Sequence, residues 1–366
     1  MKKFGNALIL AWGFVILTFG SSIYADDNKL HVFAWEGYVA NEDIAAIDRL
    51  LEKAGNPVRI EVIKPWAEGP DQMFNILRSD AADLSFLTLN YIKMNQEKTA
   101  KLLQPIDTSK LSNYGKVLPS LREIPMGVQA GKPLYVPFGG GAYGIWANTK
   151  KVQPQEMPKS LNDLLDPKWK GRLSLTKGQI QPNIALVLMA MGKSPFYIND
   201  LIVKGNRDEV VKLTDKKSET QAKLNQLYGQ VGAFWDAAPE FPDNLHLVAS
   251  YGIEIAGLRA KGEQWELVEF KEGNTVWMDT MNIHSSVKGN KLQAAYTFID
   301  YFLTPAVQNR VVNGLSMVAV TNEVKNPLIE ANPNFFDQAK FWPPYEMQAD
   351  NVMKAMSNEA MRSSGH

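Results

Sequence analysis

The sequence predicts an α/β protein of two lobes, with a ligand site where its first strands end. Three observations carry this. Strand-like and helix-like segments alternate through the N-terminal part. The chain has 366 residues, more than one core normally organises. Residues 30–39, LHVFAWEGYV, form an apolar run that finishes in two aromatics and an acid. In an open α/β sheet ligands sit at the carboxyl ends of strands, so Trp35, Glu36 and Tyr38 are placed to build a binding wall.

The elements follow in order. Residues 1–25 are expected to be a signal peptide: Lys2 and Lys3 precede an apolar stretch too short to span a bilayer, and cleavage falls after Ala25. After the first strand, Asn41 is placed to cap a helix with apolar positions Ile44, Ile47, Leu50 and Leu51, stopped by Gly55. Residues 58–63 alternate as a second strand, 70–77 form a short helix, and 84–87 a third, buried strand. This βαβαβ order implies a parallel sheet flanked by helices. Near residues 134–146 a strand, a glycine run and a second strand suggest a crossover between lobes. Residues 160–169 read as a short helix and 274–284 as a strand returning to the first lobe. An amphipathic helix over 292–303 is followed by another that opens at Thr304-Pro305.

Composition excludes several classes. There is no cysteine, hence no disulfide and no lipid-modified cysteine at the cleavage site. A free periplasmic monomer is expected. Lys+Arg and Asp+Glu both count 39, and loss of Lys2 and Lys3 leaves a slight negative excess. Nucleic acid and anionic membrane surfaces are therefore not expected partners.

Catalytic and metal signals are absent. His31, His246, His284 and His366 form no metal-spaced cluster, and no thiol or G-x-S-x-G elbow occurs. His284-Ser285-Ser286 is sequence adjacency only. Residues 139–144, GGGAYG, match G-x-G-x-x-G. A strand-like IWAN follows, whereas dinucleotide binding needs a helix to open there. Paired tyrosines can hold ferric ion, but Tyr296 and Tyr301 are about 140° apart on a helix. No cofactor is expected. An acid inside an apolar strand, Asp279, is rarely placed for packing. Trp66 and Trp235-Asp236 are further aromatic or acidic candidates, with core packing the simpler role for Trp235.

Six segments in order resemble the spermidine/putrescine-binding receptors of bacterial ABC importers: FAWEGYV, ADLSFLTLNYI, VPFGGGAYGIWAN, SLNDLLDPKWKGRLSL, TVWMDTMNI and YFLTPAVQNRVVNGL. The resemblance implies a type II periplasmic binding protein. Two lobes, each with a mixed, mostly parallel sheet, close on a solute and then dock on a permease driven by an ATPase. It implies lobe one over 26–137 and 279–323, and lobe two over 138–278 and 324–366. Trp35 and Tyr38 match the family's first-lobe aromatics, and Trp277 and Asp279 its Trp and central carboxylate. Thr88 stands for a serine, Tyr251 for a tryptophan, Asn90 for a tyrosine. Gly178 and Gln181 occupy two acidic positions, Lys177 adds a positive charge nearby, and Leu315-Ser316-Met317 lacks an aromatic. The expected ligand residues are therefore Trp35, Tyr38, Thr88, Asn90, Gln181, Tyr251, Trp277 and Asp279. The expected solute is a small amine-bearing molecule, polyamine-like or, with two acids missing, one cationic amine joined to a neutral or anionic group. The alternatives are a quaternary ammonium solute in an aromatic cage formed by Trp35, Tyr251 and Trp277, and a periplasmic enzyme on the same fold.

Overall fold

The computed structural model describes residues 28–236 and 238–366. The expected signal peptide lies outside the described residues. Strand β1 (Lys29–Phe33) pairs in parallel with β2 (Arg59–Val62) and β3 (Leu84–Thr88), and helices Asn41–Lys53 and Pro70–Arg78 make the connections. The N-terminal βαβαβ reading is thus observed. Asn41, however, is the first helical residue and not the cap. The Asp43 carboxylate accepts the Ala40 N–H at 2.9 Å instead, satisfying one of the orphan donors of the first turn. Ile47 and Leu51 are buried, but Leu50 is 45 % exposed, because the inward stripe of this helix is narrower than its apolar pattern.

A minor hairpin of β4 (Val128–Gln129) and β5 (Lys132–Pro133) precedes β6 (Val136–Asn148). The expected break at the glycines does not occur: β6 runs unbroken and buried through all of them. The glycines serve close approach. A Cβ on Gly140 would lie 2.5 Å from the Trp277 carbonyl oxygen, and one on Gly141 would lie 2.9 Å from the Trp277 ring.

The remaining strands are β7 (Leu173–Thr176), β8 (Val231–Trp235), β9 (Leu247–Ser250), β10 (Trp265–Leu267), β11 (Thr275–Ile283) and β12 (Val318–Ala319). The main sheet order is β2-β1-β3-β11-β6-β9-β7-β8, with β10 and β12 also on β6. β6 changes partners midway: Val136–Tyr143 pair with β11, and Gly144–Ala147 with β9. One core cluster is drawn from residues up to Ala142 and again from Val276, a second from Tyr143 to Phe270. The C-terminal stretch divides between them. Phe335, Phe336, Phe341 and Tyr345 pack in the first cluster, although 324–366 was expected in lobe two, while Ala349, Met353, Met356 and Ala360 pack in the second.

Residues 160–169 form two short 3-10 turns, Leu161–Leu165 and Pro167–Trp169, in place of one helix. Asp166 ends the first and caps the second, and Pro167 holds the preceding residue extended. The helices Gly289–Phe302 and Pro305–Asn313 form as expected. No helix among the described residues is long and apolar enough to cross a membrane.

Candidate functional site

The strands of both cores end at one cleft of about 630 Å³, including its open mouth. Trp35 and Tyr38 follow β1, while Thr88 ends β3 and Asn90 lies just beyond it. Gln181 follows β7, Tyr251 follows β9, and Trp277 and Asp279 project from β11. All eight expected residues line this cleft. Their convergence follows from strand ends meeting where the sheet changes partners.

Asp279 is the acidic side chain of the lining and is only 3 % exposed. It sits opposite Thr88 on β3 and Gly139 on β6, beside a bulge between Asp279 and Thr280. The Tyr38 hydroxyl donates to its Oδ2. The Thr88 hydroxyl is near enough to draw the carboxyl downward, yet Oδ1 completes no hydrogen bond. Burial outweighs both hydroxyls and pushes the carboxyl up to about 6. A buried carboxylate oxygen without a donor is costly, and a ligand N–H is the group that would relieve it.

Tyr38 is held from behind and beneath. Its ring meets Phe138 at 4.7 Å and Phe86 at 5.6 Å. Arg310 donates to the Gly37 and Tyr38 carbonyl oxygens and to the Asp43 carboxylate, pinning the turn after β1. The Trp277 indole lies over Gly141, edge-on to Tyr251 with ring centres 6.1 Å apart. Trp235 is buried behind, donating its indole N–H to the Ala249 carbonyl at 2.9 Å, so core packing describes it. Trp66 and Asp236 are not in the lining.

The other end of the cleft belongs to the loop after β7. Gln181 opens the helix Gln181–Ala190 and donates its Nε2 to Asp350 Oδ1 at 2.7 Å. Tyr251 donates its hydroxyl to Gln179 Oε1 at 2.5 Å. Lys177 is exposed and lies outside the lining, so its charge is not on the wall of the cleft. Ser316 Oγ accepts the Ala256 N–H at 2.6 Å; the turn that lacks an aromatic makes a contact between segments instead.

Sequence reasoning missed Tyr91, Gln179, Pro182, Ile253 and Trp342, which also line the cleft. Tyr91 was one position from Asn90, and the aromatic missing at that position is supplied by its neighbour. Trp342 had no local signal: it is carried in by the strap that follows Phe341, whose backbone bridges to Val276. His284 is buried, shares a 2.8 Å hydrogen bond between Nε2 and Ser85 Oγ, and is held down to about 4 by burial. It is not among the residues that line the cleft; its buried partner is Ser85, while the adjacent Ser285 and Ser286 are exposed.

Residues 88–341 match the family model of bacterial extracellular solute-binding proteins. The spermidine/putrescine-binding periplasmic protein of Escherichia coli (strain K12) is 29% identical over 322 residues, covering 85% of this chain and 82% of that protein. A putative spermidine/putrescine ABC transporter structure from Listeria monocytogenes superposes with a TM-score of 0.67 at 19% identity, covering 91% of this chain and 98% of the other. The spermidine/putrescine ABC transporter substrate-binding protein from Streptococcus pneumoniae gives 0.64 at 17% identity, covering 91% and 99%. These structural likenesses establish the fold, that of a two-lobed type II periplasmic binding protein. With the model match spanning well over half its length, the chain belongs to the bacterial extracellular solute-binding protein family.

Proposed function

We propose that this chain is the periplasmic solute receptor of an ABC importer, handing its solute to a membrane permease driven by an ATPase. Its solute is a small organic molecule with one cationic amine joined to a neutral or anionic group. One observation carries the reading: a cleft walled by aromatic rings, with Asp279 as its acid, an open Oδ1 on that acid, and no Lys, Arg or His in the lining among the described residues. A protonated amine gains about 0.5–2 kcal/mol from an aromatic face and a charge-assisted hydrogen bond from the carboxylate. The open Oδ1 favours an N–H over a methylated nitrogen, so the amine reading stands ahead of a quaternary ammonium cage.

The lobes divide within β6, near Ala142/Tyr143, and between Phe270 and Val276 at the entry to β11, where one core cluster gives way to the other. The strap between Tyr345 and Ala349 is the third crossing. Solute touching both lobes only when they are closed shifts the hinge equilibrium towards closure.

The E. coli relative is named for spermidine and putrescine. Here both are expected to bind weakly, since one carboxylate meets two or three ammonium groups and a buried unpaired ammonium is costly. Calorimetry against both amines decides this, and submicromolar affinity for either overturns the single-amine reading. Native mass spectrometry of freshly purified protein is expected to show a retained molecule with one basic nitrogen.

A further inference from the structure

We propose that Asp350 selects the far end of the solute. By fixing the amide of Gln181 it makes that part of the cleft a hydrogen-bond acceptor, so the solute ends there in a neutral hydroxyl or amide N–H, not in a carboxylate. This rests on the amine reading above and narrows it.

Asp350 is 4 % exposed and receives three donors. Gln181 Nε2 lies at 2.7 Å, the Tyr345 hydroxyl at 3.0 Å and the Lys354 ammonium at 2.7 Å. A carboxylate paired with an ammonium can only accept. Gln181 therefore has to turn its NH2 towards Asp350. What remains for the cleft is Gln181 Oε1, which accepts no hydrogen bond among the described residues. Gln179 differs. Its partner is the Tyr251 hydroxyl, which can donate or accept, so that amide is free to turn over. Only Gln181 is locked.

Two consequences follow for the solute. A carboxylate placed against Gln181 Oε1 meets an acceptor, and no cationic side chain among the described lining residues compensates. A second ammonium fares little better, because Lys354 already neutralises Asp350. A hydroxyl or an amide N–H satisfies Oε1 without bringing a charge into the cleft. Asp350 is thus a positioning residue, acting through Gln181.

The test is calorimetry with three-, four- and five-carbon primary amines whose far end is a hydroxyl, a second amine, a carboxylate or a methyl group. The hydroxyl compound of the best-fitting length is expected to bind about tenfold tighter than its carboxylate and diamine counterparts. In Asp350→Asn the new amide can donate or accept, so this preference falls towards unity while binding of the methyl-ended amine persists. Gln181→Met removes the amide itself and brings the hydroxyl compound down to the methyl compound, which keeps the test open if Asp350→Asn folds poorly. A carboxylate or diamine that binds as tightly as the hydroxyl compound overturns the proposal, as does a preference that survives both variants. If none of the amines binds, the amine reading fails and the proposal falls with it. If amines bind with the preference unchanged in the variants, only the proposal falls.

Discussion

The two ends of the cleft each carry a buried carboxyl group and treat it in opposite ways. Asp279 has one oxygen held by the Tyr38 hydroxyl and the other bare, and burial lifts it to about 6. Asp350 is equally buried, yet three donors satisfy it and Gln181 stands between it and the cleft. The first end presents an unmet charge, while the second has spent its charge inside the protein and at Gln181 presents an amide carbonyl. Counting acids near a pocket would score the ends alike. Tracing each carboxylate oxygen to its donor separates them.

The largest effect that can break this comparison is expected from Asp279→Asn. It keeps the shape, removes the charge, and is expected to weaken amine binding by about 2–5 kcal/mol. The pH dependence gives a second handle. Because the folded carboxyl titrates near 6 against a reference of 3.8, its contribution to unliganded stability is fully present below the reference value and is lost as pH rises to about 6. Amine affinity runs the other way, strengthening as the carboxylate forms. Thermal unfolding with and without ligand across this range should show the opposed trends, and Asp279→Asn should flatten both. A variant that keeps its full ligand-induced shift removes Asp279 as the amine anchor.

Tyr38→Phe should follow, at about 1.5–3 kcal/mol, the scale of a hydrogen bond to a charged group. Losing that donor moves the Asp279 carboxyl still higher, so the midpoint of the affinity–pH curve is expected above 6. An unmoved midpoint would mean that Tyr38 only packs on Phe86 and Phe138. The smallest effect sharpens the second end. Lys177→Ala, at an exposed position outside the lining, is expected to change affinity by less than about 0.5 kcal/mol. A tenfold change measured by calorimetry at low salt would return Lys177 to the site.

Much of this was legible along the chain. The alternation that predicts β1, β2 and β3 is local, so it survives without tertiary knowledge. Trp35 and Tyr38 could be placed because a strand that runs out into aromatics has few other uses. The acid inside β11 stood out for the same reason. The glycines of β6 misled, since a run of glycine marks both turns and close backbone approach. Only the position of Trp277 over Gly141 shows which applies. Asn41 misled in a smaller way: the capping side chain belongs to a residue two positions beyond the helix start, Asp43 bonding back to Ala40.

The sequence, with the family resemblance its segments carry, determined the class of the protein, the order of its elements, and which eight residues would line the cleft. The tertiary structure decided what those residues can do. Tyr38 reaches Asp279 across 241 positions of sequence, and Gln181 reaches Asp350 across 169. Periodicity and motif spacing act over one or two turns of chain. The charge, protonation and amide orientation of a binding wall are set by partners brought together only when the sheet closes, and no local pattern records them.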